Sequence, residues 1–347
     1  MHELSGRGVL GGSSNKFQKI LHLGDAPSTG ACYRDALCNA AGLTSPALRR
    51  GKKRDMSMTT RLATVVFVLA MAACLVALVW VNSHRASAQE DGPANEPAFA
   101  VRCEFSHRNS DDPIVHPGKL GAAHSHDFFS NRSTNYLSTY NSLRAAGTTC
   151  LNPADKSAYW IPTLSWNGNV LKPRAGIFYY RGNRLDPATV QAPPAGLKVV
   201  PNTHVRWQCV IDGGGAFTAE PPTKCSSRQL HVRVLFPDCS NGDLDTDSTY
   251  SNNDHRSHMT YSTRPAGSTY NQCPQTHPVT VPMLVATIKF NLPSTRGNVT
   301  LSSGGPSTMH ADFFNAWNQT VLEDLVATCI RGCDPSQPTL PDKCQKV

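Results

Sequence analysis

Residues 229–236 read QLHVRVLF, in which Leu230, Val232 and Val234 alternate with His231 and Arg233. Successive side chains of a strand point to opposite faces. A period of two therefore puts the three aliphatics on one side and the polar pair on the other, as in a half-buried antiparallel strand. Residues 204–211 (HVRWQCVI) alternate in the same way. Working outward, short apolar stretches recur at 159–166 (YWIPTLSW), 176–180 (GIFYY), 197–200 and 280–290 (TVPMLVATIKF), separated by Gly, Pro, Asn and Asp. This rhythm predicts a mainly β chain: a single β-sandwich or jelly-roll-like exported domain over residues 99–347. With 25 Gly and 25 Pro, long uninterrupted helices are not expected beyond one or two places, and one is read near the C-terminal end. There Phe314, Trp317, Val321, Leu322, Leu325, Val326 and Cys329 fall at helical spacing. The pattern predicts one C-terminal helix, with Thr320 and Glu323 as a capping box and Gly332 as its stop.

Residues 62–81 (LATVVFVLAMAACLVALVWV) carry no charge, and a helix of that length spans the roughly 30 Å of a bilayer's hydrocarbon. The cluster Arg49-Arg50-Gly51-Lys52-Lys53-Arg54, with Arg61, precedes it and sets the N-terminal side in the cytoplasm. We read the run as a transmembrane helix or a signal-peptide core. Ala86-Ser87-Ala88 fits a cleavage site, and translation from Met56 or Met58 would give an ordinary signal peptide. The expected location is the cell membrane with the C-terminal domain outside, or the exterior after cleavage near Ala88. Residues 1–61 lack apolar periodicity and read as a disordered basic tail or an over-extended gene start. Residues 82–98 are small, polar and Pro-containing, as in a linker.

Net charge is +8, but residues 1–61 hold ten Lys and Arg against four acids, a net +6. The remainder holds 23 basic against 21 acidic residues, a net +2. Nucleic-acid binding needs clustered cations to replace phosphate counterions, and the exported part has none. Nine of the 12 cysteines follow the apolar run: Cys103, Cys150, Cys209, Cys225, Cys239, Cys273, Cys329, Cys333 and Cys344. Outside the cytoplasm they predict a disulfide framework with an odd cysteine left over. Local pairs such as Cys209–Cys225 and Cys239–Cys273 are expected, with connectivity otherwise open.

Ten of the 13 histidines lie between His107 and His310. In His124-Ser125-His126-Asp127-Phe128-Phe129 the two imidazoles at i and i+2 share a strand face, as two ligands of one metal do. Gly118, followed after five residues by His124-x-His126, also matches the opening of a cupin metal motif, but the acidic ligand expected next is absent. A second cluster is Asp254-His255-Arg256-Ser257-His258. A third, His310-Ala311-Asp312-Phe313-Phe314, repeats the Asp-Phe-Phe of the first. Neutral imidazoles ligate Zn, Cu, Ni and Fe, and a neighbouring carboxylate orients the ring or acts as a base. We therefore assign His124, His126 and His310 as metal ligands, with Zn or Cu as the expected ion. His258, Asp127 and Asp312 are assigned catalytic roles in proton transfer and ring orientation. His107, His116, His204 and His231 are read as structural or surface residues. Asp243-Leu244-Asp245-Thr246-Asp247 lacks the Gly and distal Glu of an EF-hand loop and reads as an acidic turn. Trp160, Trp166, Tyr179, Tyr180, Trp207 and Trp317 can line a sugar groove or pack a core. No nucleophile elbow, HExxH helix or phosphate loop occurs.

An ordered set of motifs also runs through the exported part. It comprises Asp112-Pro113-Ile114-Val115 with Pro117-Gly118, His124-x-His126-Asp127-Phe128-Phe129, and Tyr159-Trp160-x-Pro162-x-Leu164. Phe236-Pro237-x-Cys239, Asp254-His255-x-Ser257-His258-x-x-Tyr261, Cys273-Pro274-x-x-His277-Pro278 and His310-x-Asp312-Phe313 complete it. With these the chain resembles the family called domain of unknown function nineteen-ninety-six, found in exported proteins of fungi and actinobacteria, from about residue 105 to 317. It departs from the family at Ser240-Asn241-Gly242, where Trp-Asp-Gly is usual, and at Ser130 and Ala316, where Gly is usual. The resemblance transfers no activity. The family's frequent joining to wall carbohydrate-binding modules implies a polysaccharide setting by association. The expectation is an exported domain whose His/Asp site, with a transition metal as a candidate cofactor, acts on or binds cell-wall or extracellular polysaccharide. Two alternatives stand beside it: a non-catalytic carbohydrate- or surface-binding module with structural histidines, and an extracytoplasmic metal-capture protein.

Overall fold

A computed structural model describes residues 96–201, 204–210, 214–246, 253–332 and Cys344. Strands are numbered in chain order. One five-stranded sheet has the order β1 (Ala98–Cys103), β7 (Ala175–Arg181), β14 (Met283–Asn291), β10 (Gln229–Leu235), β9 (Val205–Cys209). The second has the order β2 (Phe105–Asn109), β3 (His126–Ser130), β4 (Ala158–Pro162), β16 (Asp312–Phe314), β8 (Lys198–Val199). All their pairings are antiparallel. The alternation at 229–236 behaves as its period requires. Leu230, Val232 and Val234 are buried opposite Phe290, Ile288 and Ala286, and His231 and Arg233 face the other way. Burying each such aliphatic is worth roughly 1.5–3 kcal/mol.

The two sheets meet through aromatic rings. Tyr159 of β4 stacks on Phe178 of β7 at 3.7 Å, Phe129 of β3 lies 6.1 Å from Phe178, and Tyr180 lies 6.5 Å from Phe313 of β16. A buried hydrogen-bond chain crosses the same interface. The Trp317 indole donates to Tyr180 Oη at 2.9 Å, the two tyrosine hydroxyls bond at 2.7 Å, and Tyr159 Oη donates to Asp155 Oδ2 at 2.8 Å. Of the two readings of the aromatics, a sugar groove or core packing, the structure favours the core for five of the six. Trp160, Trp166, Tyr180, Trp207 and Trp317 are at most 1% exposed and pack the interior. Their large apolar area gains more from the core than from a surface.

The second sheet is covered on both sides. Its outer face carries a smaller core of Phe128, Trp160 and Phe314, closed by Ile114, Leu143 and Val200. That double burial explains why 158–162 (AYWIP) is almost continuously apolar. Leu143 arrives on a short helix, α1 (Tyr140–Ala145), whose Thr139–Ser142 capping box sequence analysis overlooked. Two small sheets complete the described part of the fold: β11 (Cys239–Ser240) between β12 (Met259–Thr260) and β13 (Val279–Thr280), and β5 (Leu164–Trp166) between β6 (Asn169–Val170) and β15 (Val299–Leu301).

The C-terminal helix is present but starts later than expected. Phe314 is a strand residue paired with Ala158, and Trp317 bridges to Asp155, so neither belongs to it. Asn318, not Thr320, is the cap: its side chain accepts the Val321 amide of α2 (Gln319–Val326). The helix continues into a π-helical turn, Ala327–Arg331, and ends at Gly332, whose amide returns to the Ala327 carbonyl. Among the described residues four disulfides form: Cys103–Cys150, Cys209–Cys225, Cys239–Cys273 and Cys329–Cys344. Each typically adds a few kcal/mol, largely by restricting the unfolded chain. Cys333 and the apolar run 62–81 lie outside the described residues. No helix among the described residues is long and apolar enough to cross a membrane.

Candidate metal centre on the outer face of the second sheet

Strand register decides which polar residues meet. Strands β3 and β16 flank β4, with Phe128 opposite Trp160 and Asp312 opposite the same Trp160. Phe128, Trp160 and Asp312 thus share the outer face, and the period of two brings His126 and His310 to that face as well. His126 packs edge-on to Phe128 and Trp160, with ring centroids at 6.0 and 6.5 Å. His124 precedes the strand, in a loop pinned by two bonds. The Ala123 amide donates to the Ser110 carbonyl, and the Gly121 amide donates to Asp111 Oδ1.

The three rings converge. Centroids are 4.3 Å apart for His124–His126, 5.2 Å for His124–His310 and 5.8 Å for His126–His310. One ligand nitrogen from each lies within 4.8 Å of those of the other two. A second set, Asp112, His126 and Asp312, meets the same limit and shares His126. His126 Nδ1 donates to the Asp111 carbonyl at 3.0 Å, and His310 Nδ1 donates to the Thr308 carbonyl at 2.9 Å. A carbonyl only accepts, so each Nδ1 must carry the proton and each Nε2 keeps its lone pair. Among the described residues, the buried Nε2 atoms of His124 and His126 have no hydrogen-bond partner. Neither does either carboxylate oxygen of Asp312, which is 1% exposed and whose Oδ2 lies 3.7 Å from His310 Nε2.

Burial dominates the electrostatics. It lowers the pKa of His124 and His310 and holds His126 well below the usual imidazole value, with the neighbouring imidazoles adding to the effect on His124 and His126. Burial likewise raises Asp112 and lifts Asp312 well above the carboxylate range, with the charge of Asp112 adding to the latter. Neutral imidazoles beside two buried carboxyls form a donor set of the kind that N/O-ligated transition metals take. Leaving such groups buried and partnerless is costly, and a cation at the centre would relieve that cost. The described Cys103, Cys150 and Asp155 also cluster, but both thiols are consumed in a disulfide.

The other proposed site residues lie elsewhere. Asp127 follows His126 and therefore points through the sheet to the opposite side. There it is buried, paired in bidentate fashion with Arg108 and reached by the Thr163 hydroxyl. It orients no imidazole of the centre, which corrects its assigned role. His258 is also outside the cluster. Its Nε2 bonds the Lys198 carbonyl at 2.7 Å and its Nδ1 faces Thr246 Oγ1 at 3.4 Å, so both nitrogens have partners within the fold. Asp245 of the acidic turn divides its oxygens between Lys198 Nζ and His255 Nδ1, at 2.9 Å each. Asp247 lies outside the described residues.

Sequence reasoning missed Asp112 as a member of the site. Asp112 Oδ1 accepts the Ile114 and Val115 amides, which fixes the Asp-Pro turn and holds the carboxyl against His126 and Asp312. The Asp-Pro signal was visible, but as a turn. His116, read as a structural or surface residue, lies close enough to act electrostatically on His124 and His126.

Residues 112–317 match the family described as Domain of unknown function (DUF1996), a span that includes every residue of the cluster. No curated protein and no solved structure matches the chain.

Proposed function

The chain belongs to the DUF1996 family, and on that premise we propose that it is an exported protein with a transition-metal centre, Zn or Cu, acting on extracellular or cell-wall polysaccharide. One observation carries the proposal: three convergent imidazoles, two with Nδ1 committed to backbone carbonyls, beside a buried carboxylate with two partnerless oxygens. Metal-ligating histidines are held in this way by outer hydrogen bonds. His124, His126 and His310 would bind the ion, with Asp312 as a further ligand or as the acceptor of a proton beside it. The ion would supply Lewis acidity and a water of lowered pKa. Asp112 places a second carboxyl within reach of Asp312, so the pair can share one proton. The partly exposed His124 and His310 leave one side of the site open, which suits a polymer too large for an enclosed cavity. We read the two stacked sheets as the sandwich scaffold of this site. The polysaccharide part of the proposal is supported by the family's joining to wall-binding modules and by the expected export.

The test is elemental analysis of the full chain purified after export, beside a His124→Ala/His126→Ala variant. One transition-metal ion per chain, lost in the variant, is the expected result. An absence of metal from both proteins after loading with zinc and with copper would overturn the reading.

A further inference from the structure

The second histidine cluster, Asp254–His258, stands outside the metal centre, and its construction poses a question. Nearly every side chain of the loop is spent on holding the loop still. Asp254 Oδ1 accepts the Arg256 and Ser257 amides at 2.9 Å each and the Thr246 hydroxyl at 2.7 Å. His255 is buried in a left-handed conformation, φ 55°, with Nδ1 on Asp245 Oδ1. A non-glycine residue held there costs energy and persists only where its surroundings enforce it. His258 is tied to the Lys198 carbonyl, and His277 Nε2 donates to the Ser257 carbonyl at 2.8 Å. The residue at the centre of these restraints, Arg256, is exposed.

The Arg256 side chain is tied to the outer-face core of the second sheet, on which the metal centre lies. Its Nε donates to the Val200 carbonyl at 3.2 Å, and Val200 packs with Phe314 and Trp160 on the outer face of the second sheet. Phe314 is two residues beyond Asp312 on the same strand. The guanidinium charge also reaches His310 and Asp312. Among the described residues, no carboxylate forms an ion pair with it. An arginine fixed through Nε keeps its two amino groups as a fork, a geometry that matches an oxyanion.

We infer that Arg256 is a substrate-binding residue at the rim of the metal centre, and that the polymer it takes is anionic, presenting a carboxylate or phosphate to the guanidinium. Asp254, His255, His258 and Asp245 are positioning residues that set the loop. This inference deepens the polysaccharide reading and rests on it: a neutral glycan offers this fork no charged partner, whereas a uronate or phosphate-bearing chain does.

The experiment is calorimetric titration of the full chain, zinc-loaded and chelator-treated, with tri-galacturonate, glycerol phosphate and neutral galactotriose. Binding of tri-galacturonate or glycerol phosphate at least about tenfold tighter than galactotriose is expected. Arg256→Gln should erase that preference with its metal content unchanged, and Arg256→Lys should retain part of it. Which anion binds tells a carboxylate from a phosphate source. Equal affinity of the wild type and Arg256→Gln for both anions, or no anion binding by the wild type, would overturn the inference. If the chain takes up no metal yet binds an anion through Arg256, the metal reading fails and the anion site stands.

Discussion

Asp127 and Asp312 each open an Asp-Phe-Phe tripeptide on strands that flank β4, yet they face opposite sides of the sheet. Asp312 lies opposite Trp160 and joins the histidines, whereas Asp127 lies opposite Ile161 and pairs with Arg108. A one-residue difference in frame moves a strand side chain to the other face. The tripeptides are identical in composition and opposite in role.

Replacement of the two should therefore diverge. Asp312→Asn is expected to weaken zinc binding about 10–100-fold, because a neutral amide is a poorer metal ligand than a carboxylate, with little effect on the metal-free protein, where burial already favours the neutral carboxyl. Asp127→Asn should leave zinc affinity unchanged and cost about 1–3 kcal/mol, because Arg108 is partly exposed and recovers some hydration. Competition titration with a zinc chelator and thermal melts read both. Equal zinc affinities in the two variants would contradict the assignment.

His258→Ala should keep a full complement of metal while losing about 1–3 kcal/mol of stability, as the part-buried Lys198 carbonyl and the buried Thr246 hydroxyl lose a partner. Loss of the metal together with an unchanged melting temperature would place His258 in the centre after all.

Asp155 gives a pH prediction away from the metal. Full burial raises its pKa to about 7 from an ordinary 3.8. The folded state therefore binds this proton more tightly than the unfolded state. Its contribution to stability is complete below about pH 4 and is lost as pH rises through about 7, of the order of a few kcal/mol. The wild type minus Asp155→Asn difference in unfolding free energy should fall across that window. A difference that is flat with pH would show the carboxyl to be ionised throughout.

How much of this was legible in the sequence depended on which interactions set each feature. Strands such as β10 follow from local alternation, and two of the four disulfides followed from short spacing. The convergence of His124, His126 and His310 was readable as a motif at both ends of the domain, because the two segments sit on the same face. Asp127 was misplaced because composition shows a carboxylate beside a histidine but not the frame in which the strand enters the sheet. The helix start was misjudged because Phe314 and Trp317 fit a helical period, yet β4 and Asp155 claim them through long-range pairing. Asp112 is about 200 residues from Asp312 in sequence and sits in a turn outside the strands, so only the tertiary fold joins them.

The most direct test of the central claim is X-ray absorption at the metal edge of the zinc-loaded full chain. Histidine ligation predicts a first shell containing three imidazole nitrogens at about 2.0–2.1 Å, with outer scattering from the rings. The shell should fall to one imidazole in His124→Ala/His126→Ala, if metal remains at all. A first shell of oxygens alone, or one unchanged by that double substitution, would show that the ion binds elsewhere and that this cluster is not a metal centre.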